Sequence, residues 1–80
     1  MATFTVLLTS IGDVKQFVSA ACEQACDVDI VSGRYVVDAK SIMGIFSVDL
    51  SKPIRVELHG TDEDAAVFSA AVAPFLVENS

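Results

Sequence analysis

Few side chains in this 80-residue chain could do chemistry, and their types and spacing restrict what that chemistry can be. Histidine occurs once, as His59, and cysteine twice, as Cys22 and Cys26. The two cysteines do not have Cys-x-x-Cys spacing, and no second pair exists to complete a zinc site. A disulfide across one helical turn would strain the bond geometry, so both thiols are expected to be reduced, small and apolar in behaviour. Asp62-Glu63-Asp64 gathers acids, but at the start of a helix such a run complements the positive end of the helix rather than building a metal cage. There is no Gly-rich phosphate loop, no acidic pair with an obvious cleft and no nucleophile–base arrangement. Neither an enzyme nor a metal or cofactor site is expected.

One hydroxyl stands out by its surroundings. Ser41 follows Lys40 and opens the run Ile42-Met43-Gly44-Ile45-Phe46-Ser47-Val48-Asp49-Leu50. A serine at the start of a short helix accepts a bond from a free N–H of the first turn. The apolar residues behind it are too many for one short segment to hide on a single face. One side must meet a core, and exposed apolar patches of this kind mark partner-binding sites.

The elements that must position these residues follow from periodicity. Thr3–Leu8 alternates, with Phe4, Val6 and Leu8 on one face of a strand. Thr9–Gly12 is a connector, and a helix is predicted from Asp13, with an apolar stripe of Val14, Phe17, Val18, Ala21, Cys22 and Ala25. Val28 and Ile30 mark a second strand and Tyr35–Val37 a third, joined at Ser32-Gly33 as a hairpin. Lys40 to about Ser47 is a short helix, weakened by Gly44. Ile54–His59 is the clearest strand: Ile54, Val56 and Leu58 face in, whereas Arg55, Glu57 and His59 face out, which makes His59 a surface histidine. Thr61 and Asp64 form a capping box with Asp in place of Glu. The last stripe is Ala65, Phe68, Ala71, Val72, Phe75 and Leu76, with a bend near Ala70–Pro74 because Pro74 cannot donate a helical bond. The order βαββαβα predicts an α+β fold: a four-stranded antiparallel sheet with three helices on one face, an open-faced sandwich in a single domain spanning 1–80.

Composition narrows the partners. A hydrophobic content of 52% suits a packed domain, although a chain of 80 residues buries only a modest core. Eleven acidic and five basic side chains leave a net charge of −6. That excludes the basic footprint of a nucleic-acid binder and electrostatic docking on an anionic membrane. No stretch approaches a membrane span and no signal-peptide pattern opens the chain, so a cytoplasmic protein is expected.

Lys40-Ser41-Ile42-Met43-Gly44, with Ser47, resembles the regulatory-serine segment of HPr, the small phosphocarrier of the bacterial phosphoenolpyruvate:sugar phosphotransferase system. Gln16-Phe17-Val18, Ser32-Gly33-Arg34 and Gly60-Thr61-Asp62-Glu63 resemble further landmarks of that family at fitting spacing. The resemblance implies the open-faced sandwich. It also implies that an ATP-dependent kinase phosphorylates Ser41, changing which partners bind, among them a transcription regulator in Gram-positive relatives. A phosphate there would sit favourably at the positive end of the short helix. The alternative is that Ser41 is only a helix cap.

The family's defining motif, Gly-[Leu/Ile]-His-x-Arg-Pro-Ala, is missing. Counting back from Gln16, the His position is held by Ser10, the Arg position by Gly12 and the Pro position by Asp13. A phosphohistidine passes its phosphate on readily, whereas a phosphoserine is a stable ester. The cation is lost, and Asp13 adds a negative charge where phosphate would need a bare helix start. The resemblance, so modified, implies a non-catalytic regulatory and protein-binding module, monomeric, that contacts proteins of the phosphotransferase system or a transcription regulator. The expected contact surface joins Ser10–Gln16, including Lys15, to Lys40, Ile42, Met43, Ile45, Phe46 and Leu50. Two alternatives stay open: a genuine phosphocarrier using an unrecognised residue, and a structural domain that self-associates through the apolar patch.

Overall fold

The computed structural model describes residues 2–77. Its elements run β1 (Ala2–Val6), α1 (Ile11–Cys22), β2 (Asp27–Ser32), β3 (Tyr35–Asp38), α2 (Ile42–Phe46), β4 (Ile54–His59) and α3 (Asp62–Ala71), followed by a 3-10 turn at Ala73–Phe75. The strands form one antiparallel sheet in the order β1-β4-β2-β3. Periodicity predicts the strands but not this order, which depends on pairings between residues far apart in sequence. The α+β sandwich expected from the sequence is the fold observed.

Alternation decides which face meets the helices. Val6, Val28, Ile30, Ile54, Val56 and Leu58 are buried, and opposed to them are Val14, Phe17, Ala20 and Ala21 of α1, Ile45 of α2 and Phe68 of α3. Burying each large aliphatic or aromatic side chain contributes about 1.5–3 kcal/mol. Phe68 stacks edge-on between Phe4 and Phe17, with ring centroids 5.6 Å and 5.9 Å away. The other face of the sheet lies open. It carries Thr3, Thr5, Arg55, Glu57, His59, Asp27, Asp29 and Asp38, with an ion pair Arg55–Glu57 at 3.1 Å and a hydrogen bond between His59 Nε2 and Asp29 Oδ2 at 3.0 Å.

Two glycines are required by local geometry. Gly33 adopts φ 60° in the β2–β3 turn, a conformation that costs other residues strain. Gly60 lies so close to Asp64 and Cys26 that a Cβ would meet their Oδ2 and Sγ at 2.6 Å and 2.7 Å.

Several element boundaries differ from expectation. α1 begins at Ile11, not Asp13, because Ser10 is its N-cap. The helix ends at Cys22, which is exposed, so Ala25 and Cys26 lie beyond it and the stripe is completed by Ala20 instead. Both cysteines are free. α3 stops at Ala71, itself exposed, before Pro74, which falls in the 3-10 turn where no helical bond is asked of it. The capping box is present as read: Asp64 N–H donates to Thr61 Oγ1 at 3.1 Å, and Thr61 N–H to Asp64 Oδ2 at 3.0 Å.

Candidate functional site

The start of α1 and the segment of α2 meet at one end of the molecule. Leu7, Leu8, Thr9, Ser10, Ile11 and Val14 line one side of an apolar cleft of about 510 Å³, and Phe46, Leu50 and Ser51 line the other. The two halves of the surface expected from the sequence are thus brought together. Two lining residues are themselves exposed apolar side chains, Ile11 and Phe46 (47%), and Met43, on the same short helix as Phe46, is 76% exposed.

Not every expected contact residue reaches this surface. Ile45 is completely buried and belongs to the core, which corrects its assignment to the partner surface. In a single five-residue helix one side must seal the sandwich, and Ile45 takes that side while Met43 and Phe46 take the other. Ile42 and Leu50 are half-buried and packed on the core, so only part of each is open to a partner. Lys15 is exposed on α1. The Lys40 ammonium donates to the Gln24 carbonyl just past the C-terminal end of α1 at 2.9 Å, a bond that neutralises a helix end instead of reaching into solvent. Leu7 and Leu8 line the cleft although the expected surface does not include them, whereas Ile11 falls within the expected Ser10–Gln16 stretch and is exposed because α1 starts at Ile11, outside the buried stripe.

The electrostatics at α1 are set by a closed network. Asp13 N–H donates to Ser10 Oγ at 3.1 Å. The Asp13 carboxylate reaches back one residue past the cap and accepts from Thr9 N–H at 3.0 Å and Thr9 Oγ1 at 2.9 Å. The Thr9 backbone N–H, then its hydroxyl, then Ser10 hold the Asp13 carboxyl below the ordinary aspartate value. Ser10, Thr9 and Asp13 therefore occupy one another, and an internal anion already sits at the helix start.

Ser41 caps α2 by accepting from Gly44 N–H at 3.2 Å, and its own N–H donates to the Asp38 carbonyl at 3.0 Å. No acid stands in the first turn of α2. His59 lies elsewhere. Val6, which leads to Ser10, pairs with Ile54, and His59 is five residues further along β4, about 17 Å at the rise of a strand. It also faces the opposite side of the sheet, where it bonds Asp29. Among the described residues no group of acids, cysteines and histidine is placed to hold a metal ion, and no helix is long and apolar enough to cross a membrane.

The fold is an open-faced α+β sandwich with a serine-capped short helix beside an apolar cleft, and comparison with known proteins shows its family. The family described as PTS-HPr, PTS HPr component phosphorylation site, matches residues 13–77, and the chain belongs to this family of phosphotransferase-system phosphocarriers, which are not enzymes. Ser10 and Gly12 precede the matched stretch. The fold is similar to that of HPr-C-His from Thermoanaerobacter tengcongensis (TM-score 0.72, 22% identity, 91% of this chain and 92% of that one). It is similar to the histidine-containing phosphocarrier protein of Mycoplasma (TM-score 0.68, 19% identity, 91% and 89% covered). Phosphocarrier protein HPr from Bacillus anthracis strain Ames superposes with TM-score 0.70 at 25% identity over 92% of this chain and 95% of that one. Among curated proteins nothing matches significantly.

Proposed function

We propose that this HPr-family chain is a cytoplasmic, non-catalytic regulatory and protein-binding module of the sugar phosphotransferase system, switched by phosphorylation of Ser41. The observation that supports it most is the closed start of α1. Ser10 stands where the family's phosphate-accepting His is expected, Gly12 where its Arg is expected, and the Asp13 carboxylate fills the helix end with bonds to Thr9. A second anion brought there would meet Asp13 rather than a cation. His59, at the far end of β4 and bonded to Asp29, offers no substitute on this surface.

Ser41 is the better acceptor of regulation. Among the described residues its hydroxyl is joined only to the Gly44 N–H, and a phosphate oxygen can accept that same bond. The added charge would stand beside Met43 and Phe46, so it changes the partner surface without refolding it. An HPr-type kinase is the modifying enzyme on this reading. The partner, a protein of the phosphotransferase system or a transcription regulator, docks over Ile11, Met43 and Phe46, with Lys15 at the margin.

A genuine phosphocarrier is the second reading, favoured by the family match, whose description is a phosphorylation site. Intact-mass spectrometry after two incubations separates the two. One incubation holds phosphoenolpyruvate with enzyme I, the other ATP with an HPr-type kinase. A single phosphate added only in the second, mapped to Ser41, is the expected result. An acid-labile phosphate gained in the first would overturn the proposal and restore the relay.

A further inference from the structure

A second cavity stands apart from the cleft at α1 and α2. It holds about 450 Å³, a volume usual for small-molecule sites, between the β2–β3 turn and the loop that leaves α2. The stretch Phe46–Ser51 contributes to both spaces: Phe46, Leu50 and Ser51 line the cleft, whereas Ser47, Val48 and Asp49 line the cavity. No residue assigned above to the partner surface lines it. Tyr35, Val37 and Val48 give it an apolar lining. Val37 and Val48 pack on the core, so this part of the wall is fixed, and Tyr35, 73% exposed, offers its ring for contact.

Two side chains of opposite charge complete the lining, Arg34 from the turn and Asp49 from the loop. They are not paired with each other, and Arg34 has no ion-pair partner among the described residues. The Asp49 carboxylate is anchored through one oxygen only: Oδ1 accepts the Ser51 N–H at 3.0 Å and the Ser51 hydroxyl at 2.6 Å. Those bonds hold its carboxyl below the ordinary aspartate value, and Oδ2 has no hydrogen-bond partner among the described residues. Beside it, the Ser47 hydroxyl donates to the Gly44 carbonyl, which leaves the Ser47 oxygen able to accept. An apolar floor between one cation and one anion selects a ligand of matching make-up. A simple anion would meet Asp49, a simple cation would meet Arg34, and an uncharged apolar molecule would leave both charges unmatched. A free α-amino acid satisfies all three features: its carboxylate suits the guanidinium fork, its ammonium suits Asp49 Oδ2 and the Ser47 oxygen, and its side chain suits Tyr35, Val37 and Val48.

We propose that this cavity binds a free α-amino acid with a large apolar side chain, its carboxylate on Arg34 and its ammonium on Asp49. Both charged groups are exposed, so each contact is modest and the affinity is about millimolar. The site is separate from the cleft and leaves that surface free for partners.

Amide-shift titration of the full chain with L-phenylalanine and, separately, L-leucine to about 20 mM tests this, a range suited to weak binding. Shifts should saturate and centre on Arg34, Tyr35, Val37, Val48 and Asp49. N-acetyl-L-phenylalanine lacks the ammonium and phenylethylamine lacks the carboxylate, and each should bind about five- to tenfold more weakly than L-phenylalanine. The variants repeat the test from the protein side. Arg34→Gln should bind L-phenylalanine and phenylethylamine equally, because the carboxylate has lost its partner. Asp49→Asn should bind L-phenylalanine and its N-acetyl form equally. Asparagine keeps an acceptor for Ser51, so the loop is retained. No saturable shift at these residues with either amino acid, equal binding of the three phenyl compounds to the unmodified protein, or shifts centred on Ile11 and Phe46 would each overturn the proposal.

Discussion

Two helices in this protein begin in nearly the same way and are left in opposite states. Ser10 caps α1 and Ser41 caps α2, each accepting the N–H of the residue three positions on. At α1 that residue is Asp13, whose carboxylate turns back to Thr9. At α2 it is Gly44, with no side chain to offer. α3 supplies the control, because Thr61 and Asp64 close its start with a reciprocal capping box. Two of the three helix starts thus carry their own anion and one does not. The difference is made by a single position, not by the serine that a motif search would notice. A serine cap with an acid three residues later is a finished structural device, whereas one without it still has room for added negative charge.

The largest effect that can break this comparison is covalent. Ser41→Ala should abolish phosphorylation by an HPr-type kinase, and Ser10→Ala should leave it intact, both read by intact mass. Gly44→Asp sharpens the point by giving α2 the arrangement of α1. There is ordinary van der Waals space for the new side chain, since a Cβ at Gly44 would stand 3.5 Å from Ser41. The substitution should leave the fold intact and lower the rate at which Ser41 is modified, because phosphate and carboxylate would then share one helix end.

The reverse experiment rebuilds α1. Ser10→His alone should accept little phosphate from enzyme I, because Asp13 remains. Ser10→His combined with Gly12→Arg and Asp13→Pro supplies an acceptor, a cation and a bare helix start together. Enzyme I should then add one acid-labile phosphate to the triple variant. Equal labelling of the single and triple variants would show that the Asp13 carboxylate is no obstacle.

A smaller effect concerns stability. Removing either cap leaves helical N–H groups without a partner, which costs about 1 kcal/mol. In a domain of this size that lowers the melting temperature by about 4–8 °C. No hydrogen bond among the described residues joins the two starts, so Ser10→Ala and Ser41→Ala should add to within about 0.5 kcal/mol. Thermal unfolding of the two single variants and the double variant measures this. A clear departure from additivity would mean that the two starts act as one unit across the cleft.

These helix starts also mark how far the sequence could be read. The alternation of Ile54–His59 and the pair Thr61 and Asp64 rest on neighbours in the chain, and both are found as expected. An acid suits the first turn, which points to a start of α1 at Asp13; the carboxylate does sit in that turn, but at its third residue, because Ser10 caps the helix by accepting the Asp13 N–H. Ile45, Met43 and Phe46 read alike as apolar residues behind Ser41. A five-residue helix is too short for periodicity to say which of them faces the core, and tertiary packing decides it. The order β1-β4-β2-β3 joins the first strand to the last, so no local pattern announces it.

The smallest effect is the dependence of α1 on pH. Bonds from Thr9 hold the Asp13 carboxyl below the ordinary aspartate value of 3.8, so the folded state prefers the carboxylate. A carboxyl shifted downward on folding adds stability above its unfolded value and loses that stability as pH falls through the folded one. Asp13→Asn should therefore be less stable than the unmodified protein by a constant amount from about pH 7 to about pH 5, with the gap narrowing below about pH 4. The group is open to solvent, so the gap is small and shrinks further in salt. Asp49 is lowered as well, by bonds from the Ser51 hydroxyl and then the Ser51 N–H, and it is common to both proteins, so it cancels in the difference. α2 has no acid in its first turn, and the cost of Ser41→Ala should accordingly stay flat over the same pH range. Urea unfolding at a series of pH values gives both curves. A gap for Asp13→Asn that persists undiminished to pH values well below 3.8 would mean that Thr9 and Asp13 do not form the charged cap on which the comparison of the two helix starts depends.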